Sequence, residues 1–199
     1  MKEIVGIGML QFGVVLDTCV LFPASLRDTL LRAADANLYR LQLTDDILEE
    51  MRRNLANKQI THEAKAQKLV NAIKVKFPNT VITTHKPLII SMPVNEKDKH
   101  VLAAAVISGA EVIVTQNLRD FPPHLLYPHG VRAQSPDEFL VQLFRLDSNR
   151  MIQIVTEQTR QLRNPPKTIL EVLDTLMQHA PRFASLARQK LEGENVIFL

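Results

Sequence analysis

The chain has 199 residues, of which 46% are hydrophobic and 23% are charged, and its formal net charge is +3. This composition excludes an intrinsically disordered chain and fits one domain of ordinary size with an extension, while no apolar run is long enough to span a membrane. A single cysteine excludes an internal disulfide and favours a reducing cytosol, and the mild basic bias is compatible with a polyanionic partner.

The amino-terminal segment gives no sign of an export signal. Its apolar residues are interrupted by Gly6, Gly8 and Gln11, and the small-residue cleavage pattern of a signal peptide is missing. We therefore expect a soluble, cytoplasmic protein.

Residues 13–17 form a short apolar run that ends in Asp17. A continuous apolar run without alternation is typical of a strand buried on both faces of a parallel sheet. Ligands of such sheets bind beyond the carboxyl ends of the strands, which would place Asp17 at the edge of a crevice. The alternative is that Asp17 caps a helix that begins near Ala24. We expect Cys19 to pack in the core.

Residues 24–36 have apolar residues at helical spacing and predict a first helix. A strand and a second helix follow it. Residues 38–43 alternate in the manner of a strand, and Thr44 is a suitable N-cap for the helix beyond it. Glu49 and Glu50 lie in that helix, and at 100° per residue Glu50 is the closer of the two to the apolar face. Glu50 is therefore the better candidate for a site, although a solvated pair of surface acids is the alternative.

Residues 52–78 carry seven Lys or Arg and one acid, Glu63. Interleaved apolar residues predict one or two amphipathic helices with a basic outer face. Such faces are usually only solvated, but an imbalance this large favours contact with phosphates of a nucleic acid.

The next unit brings another acid to the start of a helix. Residues 80–84 predict a short third strand, residues 85–93 a connection, and residues 95–98 the start of a helix that ends at Gly109. Asp98 lies in the first turn, where it either serves a site or only complements the helix dipole.

A fourth buried strand at residues 111–115 repeats the opening pattern. It is followed by polar groups at Thr115, Asn117 and Asp120, and residues 131–133 predict a short fifth strand. Ser135 and Glu138 have the spacing of a capping box for the next helix. After residue 146 only helices are expected, so we divide the chain into a domain at residues 1–146 and a helical extension at residues 147–199, which would act as a lid or bind a partner.

Strands that alternate with helices predict a three-layer α/β sandwich with a mostly parallel central sheet of four to five strands. Six polar side chains would meet at one sheet edge: Asp17, Glu50, Asp98, Asp120, Thr115 and Asn117. Two carboxylates 4 Å apart repel by about 4 kcal/mol at an effective dielectric constant near 20, so protons or a divalent cation must offset the charge. Hard oxygen ligands suit Mg²⁺ or Mn²⁺, which would activate a water for hydrolysis of a phosphodiester. Phosphate-binding glycine loops and zinc motifs are missing from the sequence, and no histidine shows a metal-binding spacing.

Four segments in this order resemble a PIN-domain nuclease, and specifically the VapC-like toxins of type II toxin-antitoxin systems. They are residues 14–18, Thr44 with Glu50, residues 98–105 and residues 114–122. The resemblance covers roughly residues 13 to 140 and implies endonucleolytic cutting of RNA with Mg²⁺ or Mn²⁺. Asp17, Glu50 and Asp98 match the acidic positions of the family.

The resemblance also assigns the remaining polar residues. Thr115 matches a small hydroxyl residue that supports the site or binds a metal-bound water. Many members have Asp where this chain has Asn117, so either Asn117 or Asp120 supplies the fourth position, and we take Asp120 as the fourth metal ligand.

Such toxins usually dimerise and are silenced by a cognate antitoxin, so the expected partners are RNA, an antitoxin and either a second copy or a toxin-antitoxin hetero-oligomer, with no membrane. Two alternatives stay open. One is a housekeeping RNA-processing nuclease of the same kind, and the other is an RNA-binding module without catalysis.

Overall fold

A five-stranded, fully parallel sheet in the order β3-β2-β1-β4-β5 forms the centre of the fold. The computed structural model describes residues 12–57 and 61–196, with side chains described as far as residue 193. The strands are Gly13–Leu16 (β1), Arg40–Thr44 (β2), Val81–Ile82 (β3), Val112–Val114 (β4) and Arg132–Gln134 (β5).

Helices cover both faces of the sheet and continue beyond it, which confirms the predicted α/β class with carboxyl-terminal helices. Short 3-10 turns lie at Glu96–Asp98, Leu118–Asp120 and Tyr127–His129. The α-helices are Thr18–Leu21 (α1), Ala24–Asp35 (α2), Asp45–Asn57 (α3), Glu63–Lys76 (α4), Lys86–Ser91 (α5), Lys99–Ser108 (α6), Pro123–Leu126 (α7), Pro136–Leu146 (α8), Ser148–Gln161 (α9), Ile169–Met177 (α10) and Pro181–Val196 (α11).

The order of the strands creates a crevice between β1 and β4. The chain builds the sheet outward from β1 through β2 and β3, and then continues on the other side of β1 with β4 and β5. Strands β1 and β4 pair in register, with Leu16 opposite Val114. Connections therefore leave the carboxyl ends of these two neighbours in opposite directions, which is where open parallel sheets bind ligands.

Several helix boundaries follow the predicted local signals. Thr44 accepts a hydrogen bond from the Ile47 amide at the start of α3, and Ser135 forms a complete capping box with Glu138 at the start of α8. Gly109 ends α6 with φ of 61°, a left-handed conformation that glycine adopts without strain.

The prediction for residues 85–93 was wrong. These residues are not an irregular connection but contain α5, because Pro87 occupies the first turn of a helix, where its missing amide costs nothing. Cys19 packs against the hydrophobic core as expected, but it is only half-buried because it also lines a pocket. The interpretation of the amino-terminal segment at residues 1–11, and the basic residue Lys58, lie outside the described residues.

The carboxyl-terminal helices share the hydrophobic core with the sheet. Helix α9 packs on α2 and α8, and α11 packs on α8 and α10. Buried polar contacts reinforce this packing, since Thr29 Oγ1 of α2 donates a 2.7 Å hydrogen bond to Gln158 Oε1 of α9. The division at residue 146 stays a prediction. Among the described helices, none combines the length and the apolar character that crossing a membrane requires.

Candidate active site

A pocket of about 380 Å³ opens beyond the carboxyl ends of β1 and β4. We call it the acidic pocket, because three of its lining residues are the carboxylates Asp17, Glu50 and Asp98. Asp17 follows β1 directly, Glu50 comes from α3, and Asp98 lies where the turn Glu96–Asp98 leads into α6. The remaining lining residues are Thr18, Cys19, Phe22, Pro23, Asn54, Lys97, Gln116, Asn117 and His179.

Asp17 is held by hydrogen bonds to one of its two carboxylate oxygens. Oδ2 accepts a 2.6 Å hydrogen bond from Thr115 Oγ1 and a 3.0 Å hydrogen bond from Cys19 Sγ. No hydrogen bond from the described residues reaches Oδ1, and the side chain makes no capping bond to α1. The carboxylate is therefore oriented across the β1 and β4 pair with one oxygen left for a ligand. The alternative, that Asp17 caps the helix near Ala24, is wrong, because the N-cap residue of α2 is Pro23.

The backbone after β4 supports this arrangement in turn. The Asn117 amide donates to Thr115 Oγ1 at 3.0 Å, and the Gln116 amide donates to Cys19 Sγ at 3.2 Å. Thr115 itself is fully buried. Burial and the charge of Asp17 raise the pKa of the Cys19 thiol to about 12, so the group stays protonated and acts as a hydrogen-bond donor.

Glu50 faces the pocket, while Glu49 points to solvent and pairs with Arg52. Glu50 Oε2 accepts a 2.8 Å hydrogen bond from Thr18 Oγ1 and lies 3.2 Å from His100 Nε2. The contact with His100 lowers the pKa of Glu50. Burial by itself would lower the pKa of His100, but Glu50 outweighs it and the pKa is raised, so the two residues stabilise each other's charge.

Asp98 is a buried carboxylate whose ionised form is disfavoured by its surroundings. Only 7% of the residue is exposed, and its buried Oδ2 accepts no hydrogen bond. Burial, together with the charges of Asp120 and Asp17, raises its pKa to about 6 although Lys97 acts in the opposite direction. Burial therefore penalises the ionised carboxylate, and no hydrogen bond to Oδ2 offsets this penalty.

Lys97 lies between two acids at the rim. Its Nζ is 2.8 Å from Asp120 Oδ2 and 3.8 Å from Asp98 Oδ2. The hydrogen bond to Asp120 raises the pKa of this lysine. Asp120 also lies 3.4 Å from Asn95 Nδ2 and does not line the acidic pocket, whereas Asn117 does. Of the six predicted residues, Asp17, Glu50, Asp98 and Asn117 therefore line the pocket. Thr115 contacts Asp17, and Asp120 lies beside the pocket, paired with Lys97.

Sequence reasoning missed two histidines at this site. His100 contacts Glu50, and His179, from the turn between α10 and α11, lies with its Nδ1 3.2 Å from Gln116 Nε2. His100 lies two residues after Asp98, at the start of α6, so its position in the sequence could have indicated that it lies near the site. His179 is 63 residues from Gln116 in sequence, so only tertiary packing reveals it.

The basic segment is partly neutralised in the fold. Lys74 pairs with Asp45, Lys76 with Asp35, and Arg52 with both Glu49 and Glu63. Among the described residues of the segment, Arg53, Lys65 and Lys68 remain without an ion pair and are exposed. The predicted basic face is therefore smaller than the residue count suggests.

The donor chemistry of the acidic pocket suits a hard divalent cation. Within residues 12–57 and 61–196, no three His, Cys, Asp or Glu side chains form a group arranged to hold a metal ion. Asp98 Oδ2 and Asp17 Oδ1, neither of which accepts a hydrogen bond from the described residues, are nevertheless carboxylate oxygens in one open pocket. Such oxygens are the ligands that Mg²⁺ and Mn²⁺ prefer.

Two family models match the chain. The model described as "PIN domain" matches residues 13–119, and the model described as "VapC50 C-terminal domain" matches residues 136–189. A protein of Mycobacterium tuberculosis (strain ATCC 25618 / H37Rv) named "Putative ribonuclease VapC50" is 38% identical over 116 residues, which are 56% of this chain and 69% of that protein. No solved structure matches the chain significantly.

The PIN-domain match spans all three carboxylates of the acidic pocket and Thr115. The second match covers α8 to α10 and the turn that carries His179, so it accounts for the helices that lie beyond the sheet. The chain belongs to the PIN-domain family and is VapC-like, and its match to the model described as "VapC50 C-terminal domain" follows the PIN-domain match.

Proposed function

We propose that the protein is a metal-dependent endoribonuclease and the toxin of a toxin-antitoxin pair. The observation that carries this proposal is the meeting of Asp17, Glu50 and Asp98, from three distant parts of the chain, in one open pocket at the switch point of the sheet. The name of the mycobacterial relative, which describes a ribonuclease, supports RNA as the substrate.

Asp17, Glu50 and Asp98 would hold Mg²⁺ or Mn²⁺, with Asp120 as the proposed fourth ligand. When bound, the metal supplies an activated water and offsets the charge that develops on the phosphodiester. Thr115 and Cys19 orient Asp17, while Thr18 and His100 orient Glu50. Lys97, at the rim, would attract the phosphate backbone of the RNA to the pocket.

The proposed partners follow from the role as a toxin-type ribonuclease. They are an RNA substrate, a cognate antitoxin protein, and either a second copy of the chain or a toxin-antitoxin hetero-oligomer. We propose the cytoplasm as the place of action, because the substrate is found there.

The direct test is cleavage of end-labelled RNA by the full chain in Mg²⁺, in Mn²⁺ and in EDTA. We expect cleavage only with metal, and a loss on the order of 100-fold or more in Asp17→Asn, Glu50→Gln and Asp98→Asn, because each removes a charged metal ligand. Glu49→Gln is the matched control, since it makes the same change one residue away on the solvent side of α3. If Asp17→Asn and Asp98→Asn cut RNA as fast as the parent, the assignment fails.

Expression in a bacterial host tests the biological role. A toxin is expected to arrest growth when produced alone, and Asp17→Asn should relieve the arrest. An active nuclease that does not slow growth would favour the housekeeping alternative, and salt-dependent RNA binding without turnover would favour the binding module.

A further inference from the structure

A second cavity adjoins the acidic pocket. It has a volume of about 500 Å³ and shares Phe22, Pro23 and His179 with its neighbour. We call it the apolar pocket, because most of its accessible lining is apolar, with Leu55 and Leu69 among its walls. The shared residues place the two pockets side by side, and we call the pair the groove.

Two cations lie in this otherwise apolar cavity. Arg27 Nη1 donates to Leu21 O at 2.7 Å and to Phe22 O at 3.2 Å, which fixes the guanidinium against the backbone. Lys65 is exposed and lies one helical turn from Leu69 on α4. No carboxylate lines the apolar pocket, and neither cation forms an ion pair with a carboxylate of the described residues.

Apolar walls beside two cations fit a nucleotide. The base of a single-stranded nucleic acid packs on apolar and aromatic side chains, while its phosphate binds Lys or Arg. The acidic pocket next to it is suited to a phosphodiester with a divalent cation, so consecutive phosphates of one strand would lie at the two pockets. A carboxylate-rich ligand would suit the cations but not the neighbouring acids.

We propose that the apolar pocket binds the RNA nucleotide adjacent to the scissile phosphodiester, with its base against His179 and Leu69 and its phosphate beside Arg27 and Lys65. This proposal rests on the proposed function, since it deepens the account of the same groove. His179 comes from the carboxyl-terminal helices, so that extension supplies part of the RNA-binding surface.

Binding of fluorescently labelled single-stranded RNA in EDTA tests the proposal without catalysis. We expect Lys65→Gln to weaken binding by about fivefold and to reduce the slope of log affinity against log salt by about 0.7, the value for one phosphate contact on a single strand. Lys68→Gln is the matched control, because Lys68 lies on the same helix and is exposed but lines neither pocket. Its affinity should change by less than about twofold.

An abasic nucleotide moved along the RNA locates the base contact. In the parent we expect one position at which the missing base weakens binding by about tenfold, because packing of one base contributes about 1–3 kcal/mol. In His179→Ala the penalty at that position should disappear, since the two changes remove the same contact. His124→Ala, which changes an exposed histidine outside both pockets, should retain the full penalty.

Other outcomes distinguish failure of the nucleotide-binding proposal from failure of the nuclease proposal. Equal losses in Lys65→Gln and Lys68→Gln would overturn the proposal in favour of a general basic surface on α4. Unchanged RNA affinity in both Lys65→Gln and His179→Ala would also overturn it and leave the pocket to a protein partner. If binding depends on Lys65 and His179 but the parent never cuts RNA in Mg²⁺ or Mn²⁺, the pocket stands and the nuclease proposal fails.

Discussion

Thr115 Oγ1 donates a 2.6 Å hydrogen bond to Asp17 Oδ2, and this contact joins the carboxyl ends of β1 and β4. Both groups are buried, with Thr115 fully so. The contact sets which oxygen of Asp17 remains for a ligand. The pairing of β1 with β4 therefore fixes the orientation of the Asp17 carboxylate in the acidic pocket.

Replacement of Thr115 by valine tests this contact. Valine keeps the shape but leaves Asp17 Oδ2 with one donor and the Asn117 amide without its acceptor. We expect the free energy of unfolding to fall by about 1–3 kcal/mol, measured by urea titration in EDTA. Thr115→Ser, which keeps the hydroxyl, should lose less than half of that amount, and equal losses in the two variants would show that the hydrogen bond contributes little.

Asp98 is expected to weaken the metal-free fold at neutral pH. Its pKa rises from 3.8 to about 6 on folding, so the folded state binds the proton more tightly than the unfolded chain does. The contribution of Asp98 to stability therefore declines as pH rises from about 4 to about 6 and is flat above that window. Asp98→Asn should raise the free energy of unfolding in EDTA at pH about 7.5 by about 1–2 kcal/mol, because it removes a buried charge whose Oδ2 accepts no hydrogen bond.

The pH series supplies the control for this variant. The difference between Asp98→Asn and the parent should shrink towards zero near pH 4, where both forms are neutral at this position. A variant that is no more stable than the parent at neutral pH would contradict the electrostatic account of Asp98.

The contact of His100 with Glu50 predicts the opposite dependence on pH. The pKa of His100 is raised above 6.5, so its contribution is fully present below that pH and is lost as pH rises through the folded value. His100→Gln should therefore destabilise the protein more at pH about 5.5 than at pH about 8.5, by a few tenths to about 1 kcal/mol, since Glu50 is partly exposed. Urea titrations of parent and variant at both pH values measure this loss of stability. A loss that is the same at both pH values would show that charge pairing between His100 and Glu50 does not contribute to stability.

Asp137 is expected to anchor α11 to α8. Its carboxylate accepts hydrogen bonds from Arg182 Nε at 2.6 Å and from the Phe183 amide at 3.0 Å, and so joins the start of α8 to the start of α11. Asp137→Ala should lower the free energy of unfolding by about 1–2 kcal/mol, as loss of a helix cap does. Asp174→Ala removes the exposed ion pair with Arg188 and should cost less than about 0.5 kcal/mol. Equal effects would mean that the link through Asp137 adds nothing beyond a surface pair.

Local patterns were sufficient to predict most of the sheet and the acids at its edge. Asp17 and Thr115 follow apolar strands that are buried on both faces, so strand order and burial place them together. Glu50 was distinguishable from Glu49 because the helical period places them on different sides of α3. Strand type, burial and helical period depend on neighbours in sequence, which is why the residues alone reveal them. The pairing of β1 with β4 does not, and it was expected from the α/β topology and from the resemblance to PIN-domain nucleases.

Contacts between distant segments could not be predicted in this way. His179 reaches the pocket only because α10 and α11 pack on the sheet domain, and Asp120 is held beside the pocket by Lys97, whose side-chain direction no pattern specifies. The helix α5 was missed because prolines mark both connections and helix starts, and residues 85–93 contain two.

The central claim is that Asp17 and Asp98 hold a divalent cation. Anomalous diffraction from crystals soaked in Mn²⁺ tests it most directly, because it locates the metal independently of turnover. The account predicts a single strong peak within about 2.5 Å of a carboxylate oxygen of both Asp17 and Asp98, and no such peak in Asp98→Asn crystals. A peak elsewhere, or no peak with both carboxylates open to solvent, would contradict it.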